Sequence, residues 1–309
     1  MGGIGVVTNP RSRRNRRNPG LQHQLAYVLG EQGQLAAPTD LDGLRSAMVR
    51  FKERRIDVLA INGGDGTSHV VFSTMLSVYQ DTPMPAVALL RGGTMNTVAS
   101  GLGIRGRPQA LLGRLVEQYH SGEPFRVAER NLIVVGEHAG FLFGNGLLSH
   151  FLEVYYDSDD PNPARAVWLL VRAGASALVG GKFIRHLFRP VRAQVTVGPW
   201  RWTQGTWMTI AAGTVDDIGL GFRPFYRCLD HPGYMHAVGV ACGPMALIGQ
   251  LPNIWRARPI EHPDVVDAVA DRMVIEADEP LSYMLDGDFH VGGQRLEVTI
   301  GPRVRLIVV

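Results

Sequence analysis

The sequence has little cysteine and little lysine. Only Cys228 and Cys242 are present, which excludes a disulfide scaffold, and neither stands in a metal-ligand spacing; a reducing, cytoplasmic location is the expectation. Of 31 basic residues only Lys52 and Lys182 are lysine. Arginine forks favour planar oxyanions such as phosphate and carboxylate, although such a skew also arises as a genomic habit. The formal charge of +3 is too small for a dedicated nucleic-acid binder. Long apolar runs are missing as well. The uncharged run between Arg172 and Lys182 falls far short of the roughly 20 residues of a membrane-spanning helix, so contact with a membrane would be peripheral. The opening "MGGIGVVTNP" has no basic n-region and no long apolar h-region, and is expected to form a first strand. No Walker A motif exists, because Gly181-Lys182 is followed by Phe183. A formal G-x-G-x-x-G at Gly101–Gly106 follows an expected helix instead of a strand and reads as a helix end and turn.

What is present is enough apolar sequence, 45% of 309 residues, for two domains. In the first, "IGVVTNP", "DVLAING" and "AVALLRGG" read as strands. They alternate with helices expected over Pro19–Gly33, Gly43–Arg54 and Ser68–Tyr79. This rhythm argues for a mainly parallel sheet with covering helices, whose ligands belong at the carboxyl ends of the strands. After about Phe125 the pattern changes to short β-rich pieces, from "NLIVVG" to "VRLIVV", which suggest a mainly antiparallel β-sandwich. Within it Pro163–Leu187 is the main helical candidate. The expected boundary separates residues 1–126 from 127–309.

Three strand ends carry the chemistry: "TNP", "NGGDGT" and "RGGTMN". In a parallel sheet all would lie along one edge. Glycines there let the backbone approach a ligand and aim successive N–H groups at an anion, and the following helix adds its dipole. An aspartate among such glycines repels phosphate unless it binds a metal or accepts a proton, so Asp65 points to phosphoryl transfer. The bland alternative is an Asp-Gly turn with Asp65 or Thr67 as helix cap; it accounts for Asp65, Gly66 and Thr67 but not for Gly63 and Gly64.

"GGDGT", "GGTMN", the first "NP" and a late "LDGD", in these relative positions, resemble the catalytic core of the diacylglycerol kinase family. This family includes bacterial soluble lipid kinases, sphingosine kinases and ceramide kinases, and is more distantly similar to NAD kinases and phosphofructokinases. "FLFGNGLLSHFLE" and "GFRPFYRCLDHPGYMHAVGV" extend the likeness through the second half. The resemblance implies ATP and Mg2+ as cofactors and a lipid with a free hydroxyl as partner, with diacylglycerol first and a sphingoid base or ceramide next. It assigns Asn9, Pro10 and Arg11, then Gly63, Gly64, Gly66 and Thr67, and Gly93, Thr94 and Asn96, to the nucleotide. Asp65 becomes catalytic and metal-binding. Asp286 and Gly287 match the start of a late "DGE" and are assigned to cofactor binding, with Asp288 as a second catalytic acid facing the interdomain cleft. The chain departs from the family pattern at Asp288, where glutamate is usual, at Thr97, where many members have aspartate, and at Arg91, Met95 and Val70. A soluble nucleotide-like acceptor fits the late motif poorly. A catalytically impaired binding protein is the reading of another class, and a homodimer is compatible with the resemblance.

Other signals have two readings. The arginines Arg11 to Arg17 form either a solvated turn or contacts to phosphate or anionic lipid. Segment Pro163–Pro190 is a packed helix with basic rims or an interfacial helix. His69 could touch nucleotide or serve as a cap or core residue. His231, His236 and His290 show no metal-ligand spacing. Asp157, Asp159 and Asp160 could recognise a headgroup, with a solvated loop as the default.

Overall fold

The computed structural model describes residues 2–31, 33–156, 163–178 and 181–309. Asp157, Asp159 and Asp160 lie outside the described residues, as do the side chains of Leu170, Leu178 and Lys182. The chain divides into two compact units. The first is Met1–Arg130 with Glu137–Ala139 and Arg303–Val309; the second is Asn131–Gly136 with Gly140–Pro302.

Unit 1 runs β1 (Ile4–Thr8), α1 (Arg13–Arg17), α2 (Leu21–Leu29), β2 (Gln34–Ala36), α3 (Leu41–Arg54), β3 (Val58–Asn62), α4 (Asp65–Tyr79), β4 (Ala86–Leu89), α5 (Thr97–Gly101) and α6 (Pro108–Ser121). Strands β1, β3 and β4 are buried at every position, as a parallel sheet covered on both faces requires. Their order is β2-β1-β3-β4, and Leu306 and Ile307 of the chain's last strand pair in parallel with β4. Helix α3 shows how the sequence selects its faces. Leu44, Ala47, Met48 and Phe51 recur at helical spacing and are buried, while the Asp40 carboxylate caps the first turn by accepting from Gly43 N.

The expected helices correspond to α2, α3 and α4, but α4 begins at Asp65 and not at Ser68. The arginine-rich run is not merely a solvated turn: it forms α1, whose central Asn15 is buried. The "GLGIRG" segment does end a helix, α5, and turns at Gly103 and Gly106.

Strands β5 (Val127–Val135) and β6 (His138–Gly140) lead into unit 2, which continues through β7 (Leu142–Asn145), α7 (Leu147–Tyr156), α8 (Pro163–Leu178), α9 (Lys182–Leu187), β8 (Val191–Val197), β9 (Trp200–Arg201), β10 (Thr206–Trp207), β11 (Thr209–Gly213), β12 (Met235–Val240), α10 (Pro244–Trp255), β13 (Val265–Ala270), β14 (Arg272–Ala277), β15 (Ser282–Leu285), β16 (Asp288–Val291) and β17 (Arg295–Ile307). The order β10-β8-β14-β17 is the antiparallel part of an 11-stranded sheet that continues through β17 to β4; a second, 6-stranded sheet is β13-β12-β11-β7-β15-β16. A common core joins them: Val195, Val197, Trp207 and Met273 from one, Phe143, Ile210, Met235 and Tyr283 from the other. Alternate burial along β8 is the pattern of strands with one face on such a core.

Helix α7 packs on β7 and β15, with α8 and α9 beside it and α10 against α8. The single helix expected over Pro163–Leu187 is therefore two, and α7 and α10 were hidden among β-rich pieces. Conversely, "LEVTIG" and "VRLIVV" belong to one strand, β17, which passes through Gly301-Pro302.

Candidate functional site

Registers Thr8↔Asn62 and Ile61↔Leu89 bring the carboxyl ends of β1, β3 and β4 side by side. The three loops that follow are fastened to one another. Asn9 N donates to Asn62 O at 3.0 Å, and Asn9 Nδ2 donates to Thr67 Oγ1 at 2.9 Å. Ser12 Oγ donates to Gly92 O at 3.2 Å, and Arg14 to Arg91 O at 2.8 Å. Beneath them lies a buried polar knot that the sequence analysis missed: Asn62 Nδ2 donates to Thr8 Oγ1 and to Asn15 Oδ1, while Asn15 Nδ2 donates to Asn9 O. Asn15 lay concealed among arginines; an uncharged amide inside a charge run was the available signal.

Gly64 and Gly93 are explained by contact. A Cβ on Gly93 would lie 2.2 Å from Gly64 Cα, and one on Gly64 would lie 3.1 Å from Gly93 Cα. The loops after β3 and β4 thus touch backbone to backbone, which only glycine permits. The loop after β4 is closed by reciprocal bonds between Gly93 N and Asn96 Oδ1 and between Asn96 Nδ2 and Gly93 O. Thr94 belongs to this same turn, between the two bonded residues. Pro10 and Arg11 belong to the loop after β1, where Arg11 N donates to Asn9 Oδ1 and its side chain is exposed.

Helix α4 starts here without a side-chain cap: Gly64 is its N-cap, and Asp65, Gly66 and Thr67 form its first turn. Neither Asp65 nor Thr67 takes the capping role weighed from sequence. First-turn N–H groups have no intrahelical acceptor, and the helix dipole favours an anion beside them. That arrangement fits a phosphate group.

The Asp65 carboxylate instead reaches the start of α5, accepting from Thr97 N at 3.0 Å. Burial, the largest influence, raises its pKa above the ordinary carboxylate value. The N–H groups of Thr97, Val98 and Asn96 and the Thr97 hydroxyl offset part of that rise. Such a carboxyl is a better proton acceptor than an exposed one. Arg91 adds positive charge nearby; burial, and then the charges of Arg14 and Arg105, lower its pKa, while Asp65 opposes the change.

In unit 2, Asp286 and Gly287 are the two central residues of the β15–β16 hairpin, with φ of 49° and 91°. Positive φ at both positions is the signature of a type I′ turn, for which Asp-Gly is a preferred pair. Asp286 Oδ1 accepts from both Phe141 N and Leu142 N at 2.9 Å, binding the hairpin to the start of β7. Asp288 opens β16, opposite Leu285, and is partly buried. His69 is a core residue whose Nδ1 lies 2.9 Å from Ala139 O. His236 is fully buried and faces Asp267 at 3.4 Å.

A parallel sheet whose edge loops present an uncapped helix start beside a partly buried carboxylate is an α/β arrangement compatible with a phosphate-type ligand. More particularly, residues 3–123 match the family model described as the diacylglycerol kinase catalytic domain, and the resemblance read from the loops holds over that part of the chain. No match was found among curated proteins. Among solved structures, one described as a diacylglycerol kinase from Bacillus anthracis str. Sterne is 13% identical, with 99% of this chain and 97% of that one covered and a TM-score of 0.65. Two others from the same organism, described as candidate diacylglycerol kinases, are 13% and 15% identical with TM-scores of 0.69 and 0.70. They cover 99% of this chain, and 97% and 98% of their own length is covered. At these identities the likeness is one of fold.

Proposed function

We propose that the protein is an ATP-dependent lipid kinase that phosphorylates a lipid hydroxyl, with diacylglycerol as the first acceptor. The observation that carries this reading is the uncapped start of α4 with the Asp65 carboxyl beside it. The likeness of unit 1 to NAD kinase and phosphofructokinase folds, expected from the resemblance, belongs to the same proposal. The first-turn N–H groups of α4 and the loops carrying Asn9, Gly93, Thr94 and Asn96 would hold the nucleotide phosphates. Mg2+, bound with the nucleotide and Asp65, would supply neutralisation of phosphate charge. Asp65 takes the proton of the attacking hydroxyl, and its raised pKa suits that task. Asp286 holds the hairpin, and Asp288, at the hairpin's first outgoing residue, is the second acid of the reaction.

The test is transfer of labelled γ-phosphate from ATP with Mg2+ to micellar diacylglycerol, sphingosine, ceramide and monoacylglycerol, with Asp65→Asn as control. A labelled lipid that the variant fails to make supports the reading and names the headgroup. ATP binding with no labelled product from any lipid rejects it in favour of a binding protein or a soluble acceptor.

A further inference from the structure

Residues 161–215 contain seven basic residues and no aspartate or glutamate. The rest of the chain holds 24 basic and 28 acidic residues, so the net positive charge of the whole protein resides in this one segment. Its helices also show apolar side chains to solvent. On α8, Leu169 is buried, whereas Val167 is 50%, Trp168 46% and Val171 65% exposed. These three positions fall on one side of the helix, and Arg165 and Arg172 border them at helical spacing. Both guanidinium groups stack on Trp168, at 4.3 and 5.4 Å from the ring centre, and Arg172 also lies 4.2 Å over Phe183 of α9. The neighbouring α10 carries no charged residue over its twelve positions and exposes Met245 and Trp255, with exposed Arg256 and Arg258 directly after it.

We propose that the face formed by α8, α9 and α10 docks the protein on an anionic bilayer surface. The occupant follows from chemistry. Exposed tryptophan beside arginine matches the boundary between headgroups and acyl chains, where the ring is partly desolvated and the cation meets lipid phosphate. The absence of any acid leaves nothing on this segment to repel such a surface, and each basic group close to it strengthens the attraction. No described helix is long and apolar enough to cross a membrane, so the contact is a lateral one. The inference rests on the lipid-kinase reading only for its purpose, since a lipid acceptor must be met at a surface.

The experiment is sedimentation of the full chain with vesicles of phosphatidylcholine alone, and with about 30 mol % phosphatidylglycerol, a content that gives a negative surface potential. Binding to the anionic vesicles that falls as salt is raised, with a blue shift in tryptophan emission, is the expected result. Arg185→Gln with Arg189→Gln, both at exposed positions, is expected to weaken binding by about tenfold or more. Trp168→Ala combined with Trp255→Ala is expected to remove most of the blue shift. Failure of the wild type to bind anionic vesicles, or equal binding by the variants, overturns the proposal. Phosphoryl transfer to a monomeric short-chain diacylglycerol, which needs no surface, separates the two readings. The variants should retain it, and its loss in them would place these arginines in the substrate site and overturn docking. A wild type that binds vesicles but phosphorylates no lipid would reject the kinase and leave docking standing.

Discussion

The Asp65 carboxyl begins one helix and faces the start of another, in a place where burial raises its pKa. A raised folded-state pKa means that folding favours the protonated form. The charged carboxylate therefore costs stability above that pKa, and the cost disappears as pH falls through it. Asp65→Asn keeps an acceptor for Thr97 N and removes the charge. It should melt at a higher temperature than wild type at pH 7 to 8, with the gap closing in acid, while losing roughly 100 to 10,000-fold in phosphoryl transfer. Thr97→Val, lacking the hydroxyl that supports the ionised form, should move the acid limb of the pH–rate profile upward; an unmoved limb would exclude Asp65 as the base. Asp267 shows the opposite sign. Burial would raise its pKa, but hydrogen bonds from His236 and Tyr226 and the charges of His236 and Arg227 hold it at about 2. Its ionised form thus stabilises the fold above the ordinary carboxylate range, and that contribution is lost as pH falls toward about 2. Asp267→Asn should cost about 2 kcal/mol at neutral pH, read as a lower urea midpoint, and almost nothing at the acid end. At this scale Asp65 was legible because an acid among glycines is chemically odd. Asp267 was not, since its partners Tyr226, Arg227 and His236 are distant in sequence or unremarkable in type.

At the scale of elements, what the sequence disclosed depended on period. The apolar-rich runs of β1, β3 and β4 and the alternating β8 announced themselves, and α3 was expected from Gly43, two residues after its start at Leu41, because the Asp40 cap was not read. Helix α10 reads as apolar with an internal proline, which suggests a break, yet Pro252 is tolerated near its C-terminal end. The late "LDGD" was legible as a motif but not as a turn, although Asp-Gly with positive φ at both positions is what a two-residue hairpin demands. The contact of Gly64 with Gly93 was invisible, because it joins loops separated by a helix and a strand. Gly93→Ala tests it: the added carbon meets backbone that cannot swing away, and the two loops must part. The expected outcome is a loss of about 1–3 kcal/mol in stability together with weaker ATP binding by calorimetry. Unchanged affinity would mean that the apposition of these loops is irrelevant to the nucleotide.

For the molecule as a whole, the family match ends at residue 123, but the folding unit does not. Residues 303–309 return to unit 1, where Leu306 and Ile307 pair in parallel with β4. Val304, Leu306 and Ile307 are 2%, 0% and 0% exposed. Burying each such side chain is worth roughly 1.5–3 kcal/mol, and the three together approach the entire stability of a typical domain, about 5–15 kcal/mol. A linear reading of the sequence could place the change from parallel to antiparallel pattern near Phe125, because composition changes there; it could not see that the last strand serves both units. The physical reason is that a strand's partners are chosen by sheet topology, which leaves no local trace in an apolar run such as "VRLIVV". A chain ending at Arg130 would leave the β4 edge and its apolar face without this cover, and should be aggregated or unfolded by gel filtration and far-ultraviolet circular dichroism. The same chain extended through a flexible linker by the last seven residues, Arg303–Val309, should recover a cooperative melt. A monomeric, cooperatively melting chain ending at Arg130 would show instead that the first unit needs no strand from the far end of the sequence.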